Sequence, residues 1–207
     1  EGGLVTLLRP EDQLKKLGSI GKEIFGTDRI KILDENRKEV PDGEVGELFY
    51  RTPMLFKEYL KEPEKSKQAF LGEWSSAGDM VKRDEDGYYT LVDRKANMII
   101  TGGENVYPSE VEGVVGQHKS VRDVAVIGIP DAKWGEMVKA IVVLNAGFEP
   151  SEDLAKEILE STKNKIAGFK RPKTVDFIKD EEMPRTPTGK ILHRILREKY
   201  GTWSQQK

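Results

Sequence analysis

Three stretches of the chain combine residue types and spacings that could do chemistry on phosphate, hydroxyl or carboxylate groups. The first is Trp74-Ser75-Ser76-Ala77-Gly78-Asp79, followed by Asp93-Arg94. A carboxylate accepts two hydroxyl donors well, which suits the cis-diol of a ribose. An arginine close by offers a fixed fork of donors to hydroxyl or phosphate oxygens. From the local sequence alone, a turn cap at Asp79 and a surface ion pair at Arg94 are the better reading, because Gly-Asp turns are common. The second stretch is Ile99-Ile100-Thr101-Gly102-Gly103-Glu104-Asn105-Val106-Tyr107-Pro108. Paired glycines after a strand permit positive φ or close approach of a ligand to the backbone. A loop entering a helix N-terminus also presents free N–H groups, although a plain strand-to-helix turn fits as well. The third is Pro184-Arg185-Thr186-Pro187-Thr188-Gly189-Lys190. Two prolines narrow the conformations of this loop and Gly189 permits a turn, so Lys190 can be held at a defined place. A lysine so held is a compact cation for charge developing on phosphate and carboxylate oxygens; a solvated lysine in a helix-leading turn is the plain alternative. It is not a Walker A loop, because position 184 is Pro and Ile191 follows the lysine.

The elements that must position these stretches fall into two halves. Residues 1–95 read as short strands and turns: Arg29 to Leu33, then Glu47 to Tyr50 after the break at Pro41-Asp42-Gly43, then the hairpin signal Asp86-Gly87 before Tyr88 to Val92. A short helix is expected at Pro63 to Ala69, with proline in its first turn. Residues 96–207 alternate element types. Pro108 to Val115 predicts a helix with Val111, Val114 and Val115 on one face, and Val124 to Ile129 and Lys139 to Leu144 predict strands. Ser151 is an N-cap for a helix turning Leu154, Ile158 and Leu159 inward, Thr174 to Ile178 is a third strand, and a last helix is expected from near Ile191. The fold class this predicts is α+β: a small β-rich lobe followed by a compact α+β domain.

Composition removes several function classes. Of 207 residues, 34 are Lys or Arg and 36 Asp or Glu, for a net charge of −2. That balance offers no electrostatic case for nucleic acid. Cysteine is absent, which excludes disulfides, thiolate catalysis and cysteine-based zinc sites. The two histidines, His118 and His193, are far apart in sequence, leaving few parts for a Ser-His-Asp or His-rich metal site. No apolar run approaches the ~20 residues of a transmembrane helix. The start, Glu1-Gly2-Gly3-Leu4, has neither an initiating Met nor a basic-then-apolar leader and is expected to be the cut end of a longer chain.

Each signal is weak alone, and their order and separation carry more. Gly78-Asp79, Gly87-Tyr88, Asp93-Arg94, the run Gly102-Gly103-Glu104-Asn105-Val106-Tyr107-Pro108-Ser109-Glu110-Val111-Glu112, and Pro187-Thr188-Gly189-Lys190 closely resemble the downstream motifs of the adenylate-forming (AMP-binding) superfamily. Asp131-Ala132-Lys133-Trp134-Gly135-Glu136 and Gly168-Phe169-Lys170-Arg171-Pro172 are similar to that family too. The resemblance covers essentially the whole chain. It implies activation of a carboxylic acid with Mg-ATP to an acyl-adenylate, then transfer to a thiol, commonly that of CoA, by a cytoplasmic enzyme. By the same resemblance, residues 1–95 would end a large N-terminal domain and 96–207 would be the small domain that rotates between half-reactions. Asp79 would bind the ribose hydroxyls of ATP or AMP, and Arg94 would support ribose or phosphate. Lys190 would bridge the attacking carboxylate and the α-phosphate. Gly102 and Gly103 would line the pantetheine tunnel, Lys170 and Arg171 would meet the CoA phosphates, and Glu1 would end a motif that helps bind Mg-ATP. No separate metal site is implied.

Two departures from the family pattern matter. Its hinge position two residues after Arg94 is usually Asp or Lys and is Ala96 here. These residues also contain no Ser/Thr/Gly-rich phosphate loop. The chain alone is therefore expected to be inactive, with the missing N-terminal domain as its intramolecular partner. The glycine loop looks more like those of fatty-acyl and aryl-CoA synthetases, pointing to CoA as acceptor and to a medium- or long-chain fatty acid or an aryl acid as substrate. A carrier-protein-loading adenylation domain and a non-catalytic module of the same fold are the alternatives.

Overall fold

A computed structural model describes residues 4–24 and 29–201. The chain divides into two compact units, Glu1–Ala96 and Asn97–Lys207.

The first unit is an antiparallel sheet. Its elements are β1 (Thr6–Leu7), β2 (Ser19–Glu23), β3 (Ile30–Leu33), β4 (Val45–Tyr50), α1 (Pro63–Ala69), β5 (Phe70–Leu71), β6 (Trp74–Ser75), β7 (Asp79–Arg83) and β8 (Tyr89–Arg94). Strands follow the order β1-β2-β8-β7-β4-β6-β5, with β3 added on β4. Ile30, Ile32, Leu48, Tyr50, Val81 and Tyr89 form its core. The alternation of Ile30 and Ile32 supplies one buried face. The turn at Asp84–Tyr88 closes on the side chain of Asp84, which accepts the Tyr88 N–H at 2.8 Å, and Gly87 takes φ +81° there. That is the turn chemistry expected of Asp-Gly.

The second unit comprises β9 (Ile99–Thr101), β10 (Glu104–Val106), α2 (Pro108–Val115), β11 (Val121–Asp131), β12 (Gly135–Leu144), α3 (Glu152–Ser161), β13 (Thr174–Ile178) and α4 (His193–Tyr200). β11 and β12 form a long antiparallel hairpin, β13 adds parallel to β12, and β9 meets the start of β12. Alternate residues of the two long strands enter different cores. Val124, Val126, Val138, Ala140 and Val142 pack with Val111, Val115, Leu154 and Ile158 of α2 and α3. Ala125, Ile127, Ile129, Met137, Ile141 and Val143 pack with Met183 and Leu196. A sheet covered on both faces explains why these strands read as continuous apolar runs rather than alternating ones.

Three expectations are refined. Residues 99–106 are a tight hairpin, not a strand leading straight into a helix, because Gly102 and Gly103 both adopt positive φ, +61° and +84°, as the two central residues of a type I′ turn do. The strands expected at 124–129 and 139–144 extend to 121–131 and 135–144; Pro130 is accommodated one residue from the strand's end, where a missing N–H costs least. The last helix starts at His193 rather than near Ile191, since Ile191 pairs with Arg185 in a short antiparallel bridge.

Candidate functional site

In the first unit the chemistry-bearing pair is created by strand register. Asp79 opens β7 and Arg94 ends β8, and the two lie directly opposite one another. The Arg94 Nε is 2.9 Å from Asp79 Oδ1, and its Nη1 donates to the Ala77 carbonyl at 3.0 Å. Gly78, at φ +77°, turns the chain into β7. Its N–H goes to Ser76 Oγ at 3.0 Å and its carbonyl accepts from the Lys95 N–H at 2.8 Å. The result is a carboxylate and a guanidinium presented together at a sheet end, with Arg94 about half exposed and Asp79 mostly covered (54% and 23%). The sequence did not single out Lys95, whose ammonium pairs at 2.8 Å with Glu47. Glu47 is a buried carboxylate of β4, so the backbone just after Arg94 is pinned to the sheet. Its 48-residue separation from Lys95 left no local signal.

In the second unit the Gly102-Gly103 turn is enclosed on one side by the Asp131–Glu136 segment. A Cβ on Gly102 would stand 2.9 Å from the Trp134 ring, whereas one on Gly103 would meet open space. The Gly102 N–H donates to the Trp134 carbonyl at 2.8 Å, and the Ile100 N–H donates to Glu136 at 2.7 Å. Asp131 shapes the segment by accepting the N–H groups of Lys133 and Trp134 at 2.9 and 2.8 Å. Trp134 is half exposed with the Lys133 ammonium over its ring. Trp134 and Glu136 thus support the glycine turn. The sequence marked their motif without a role, because the contact crosses from β9 to the start of β12.

Lys170 reaches Glu110 in the first turn of α2, with Nζ 2.9 and 2.7 Å from its two oxygens. Arg171 is engaged elsewhere. It donates to the Leu159 carbonyl at 2.9 Å and to Thr162 Oγ1 at 3.0 Å, with Glu160 at 3.4 Å. These groups form the C-terminal end of α3, where cations are favoured.

Lys190 sits on a closed hairpin loop. The Thr186 N–H donates to the Lys190 carbonyl at 2.8 Å, the Gly189 N–H to the Thr186 carbonyl at 2.9 Å, and the Lys190 N–H to Thr186 Oγ1 at 3.1 Å. Pro187 presets the first turn position and Gly189 takes φ +86°, the pattern of a turn closed by a left-handed residue. Residues 187–190 are exposed, and among the described residues the Lys190 ammonium has no ion-pair partner. The structure thus brings Asp79 and Arg94 into contact, ties Lys170 to the helix after the glycine turn, commits Arg171 to α3, and leaves Lys190 presented to solvent. Glu1 lies outside the described residues. Among those residues no cluster of three or more His, Asp or Glu side chains suits a metal ion, and no helix is long and apolar enough to cross a membrane.

A sheet-end carboxylate–guanidinium pair can meet hydroxyl or phosphate oxygens, and an exposed lysine on a hydrogen-bonded loop can meet anionic oxygens. The comparisons name the class of protein. A model of the AMP-binding enzyme C-terminal domain matches residues 110–190, and one of AMP-binding enzymes matches residues 1–60. A long-chain-fatty-acid–CoA ligase of Mycobacterium tuberculosis is 44% identical over 195 residues, covering 94% of this chain and 37% of that enzyme. Among solved structures, o-succinylbenzoate CoA synthetase of Bacillus subtilis in complex with its acyl-adenylate intermediate is 31% identical, with a TM-score of 0.79 over 94% of this chain and 38% of that one. ATP-bound MatB from Rhodopseudomonas palustris is 35% identical, with a TM-score of 0.78 over 89% of this chain and 36% of that one. The chain belongs to the AMP-binding, adenylate-forming enzyme family, and acyl-CoA ligases are among the relatives it matches. It spans 37% of the length of the mycobacterial ligase.

Proposed function

We propose that this chain is the C-terminal part of an ATP-dependent carboxylate–CoA ligase, which forms an acyl-adenylate and then passes the acyl group to CoA. In that reading residues 1–95 complete the large nucleotide-binding domain and 96–207 form the mobile small domain, with the hinge at Ala96. A hinge needs adaptable φ/ψ more than a particular side chain, so alanine is compatible with rotation there.

The observation that carries the reading is Lys190: an exposed ammonium without an ion-pair partner among the described residues, on a loop whose backbone is closed by its own hydrogen bonds. Such a group costs little reorganisation when negative charge develops on the carboxylate and α-phosphate oxygens between which it is to be placed. Asp79 accepts the ribose hydroxyls while Arg94 orients it and contacts ribose or phosphate. Mg²⁺ arrives with ATP as part of the substrate, with Glu1 as a candidate contact. The open side of the Gly102-Gly103 turn gives a slender chain such as pantetheine access to the backbone. Lys170 serves the CoA phosphates by exchanging Glu110 for them, and Arg171 anchors the 168–172 segment on α3. The acid is of the medium- or long-chain fatty class, in keeping with the fatty-acid ligase among its relatives. Because these residues contain no phosphate loop, the chain alone is inactive, and ATP–pyrophosphate exchange by the purified 207-residue polypeptide would refute that.

The test is Lys190→Ala in the full-length enzyme. Adenylation falls by roughly 10²–10³, while thioester formation from a supplied acyl-adenylate continues. Equal loss of both half-reactions would contradict the assignment.

A further inference from the structure

The hairpin that carries Lys190 is closed within itself but needs an attachment to the rest of its unit, because an isolated exposed hairpin is marginally stable. Among the described residues, the side chains of 186–190 make two polar contacts, Thr186 Oγ1 to Thr188 Oγ1 at 2.9 Å and to the Lys190 N–H at 3.1 Å, and both stay inside the loop. The Leu192 N–H donates to the Pro184 carbonyl at 2.9 Å, which joins the two stems to each other only. Beyond the apolar packing of Ile191 at the stem against the core of Met183 and Leu196, the polar exception is Arg185. Its Nη1 donates to the Gly189 carbonyl at 3.3 Å, while its Nη2 is bonded to Asp123 Oδ2 and lies 3.9 Å from Asp180 Oδ1. Both carboxylates are themselves held. Asp123 Oδ1 accepts the Val124 N–H at 2.8 Å, which fixes it to β11, and Asp180 takes Arg122 at 2.9 Å.

One planar guanidinium therefore holds the loop tip with one nitrogen and the anchored Asp123 with the other, with the Asp180 carboxylate in ion-pair range. From this geometry we infer that Arg185 is the positioning residue for Lys190: it fixes the loop's angle to β11 and so fixes where the ammonium can be delivered. The inference rests on the role of Lys190 proposed above. The effect is leveraged, because the Lys190 backbone is bonded to Thr186 on both sides and the loop tilts as a unit. Displacements of about 1 Å in a group that stabilises a transition state cost up to ~10²-fold in rate. Lysine cannot replace the arginine fully, since a single ammonium lacks the fork that reaches both sides.

The experiment uses the full-length enzyme with Arg185→Ala, Arg185→Lys, Lys190→Ala and the Arg185→Ala/Lys190→Ala pair. Expected for Arg185→Ala are an adenylation kcat lower by about tenfold, a KM for ATP within about twofold, and unchanged thioester formation from supplied acyl-adenylate. Arg185→Lys recovers part of the loss. On the Lys190→Ala background, Arg185→Ala adds nothing, because a positioning residue has nothing left to position. Asp123→Asn, which removes the anchored partner, moves kcat in the same direction and guards against misfolding of the alanine variant. Additive losses in the pair, equal loss in both half-reactions, or an unchanged kcat would each overturn the inference. If Lys190→Ala itself leaves adenylation intact, the reading beneath it falls as well; if Lys190→Ala abolishes adenylation and Arg185→Ala does not touch it, only the positioning role falls.

Discussion

Each unit contains a carboxylate–cation pair joining neighbouring strands, and the two pairs are built for opposite ends. Asp79 and Arg94 face each other across β7 and β8 at 2.9 Å, with 23% and 54% of their side chains exposed. Lys139 of β12 and Asp176 of β13 meet at 2.6 Å, but only 4% of the lysine is exposed and 31% of the aspartate. The Lys139 Nζ also lies 3.3 Å from the Tyr200 carbonyl at the end of α4. A buried ammonium must keep its partners, since losing them strands a desolvated charge. A half-exposed guanidinium can exchange one oxygen for another at little cost, because water already competes for it. Under the proposed function the same chemistry thus serves as a permanent joint in one place and as a binding site in the other, with solvent access deciding which.

The comparison breaks most readily at the buried pair. Lys139→Met keeps the aliphatic stem and removes the charge. It destabilises the second unit by about 2–3 kcal/mol, somewhat less than breaking a fully buried pair because a third of Asp176 still meets water. That corresponds to a fall in Tm on the order of 10 °C for a domain of this size. Asp176→Leu added to Lys139→Met regains most of it. A Tm unchanged in the single variant would show that burial does not make this pair obligatory.

At the open pair the expected stability change is smaller and the change in binding larger. Asp79→Asn alters the stability of the first unit by about 1 kcal/mol or less, as for exposed ion pairs. In the full-length enzyme it weakens AMP or ATP by about tenfold or more, the magnitude of hydrogen bonds made to a charged acceptor. Calorimetric titration with AMP, run beside thermal unfolding, separates the two effects. A loss of stability matching that of Lys139→Met, with nucleotide affinity intact, would reverse the roles assigned to the two pairs.

What could be read from the sequence follows the same division. Asp79, Arg94 and Lys190 stand in short motifs whose residue order carries the signal, and α1 is bounded at Pro63 and Ala69 as expected. Ser151 caps α3 by accepting the Leu154 N–H at 3.1 Å, again a relation within a few residues. Lys139, by contrast, read as an unremarkable entry to an apolar strand, because its partner becomes adjacent only through the parallel register of β12 on β13. Arg185 was visible beside the lysine motif but had no role, since Asp123 lies 62 residues away. The hairpin at Gly102-Gly103 was hidden by the helix signal of Pro108 that follows it.

The smallest effect concerns the outer face of the helix that the buried lysine holds. Lys199, one residue before Tyr200, pairs with Glu182 at 3.2 Å. Glu182 also accepts the Lys179 N–H at 3.0 Å. That backbone bond first, and the Lys199 ammonium second, hold the Glu182 carboxyl below its ordinary value, while the Tyr200 side chain first and Glu182 second hold Lys199 above its own. A carboxylate with a depressed folded-state value contributes stability that is present above the ordinary glutamate range and is lost as pH falls through the depressed value. Wild type therefore loses more stability than Glu182→Gln between pH 6 and pH 3, and the two Tm curves converge at the acid end. The gap closes further in high salt, because the pair is exposed and screened. Lys139 and its partners should show no such salt dependence. Parallel curves for wild type and Glu182→Gln across that range would mean that Glu182 contributes nothing to holding α4.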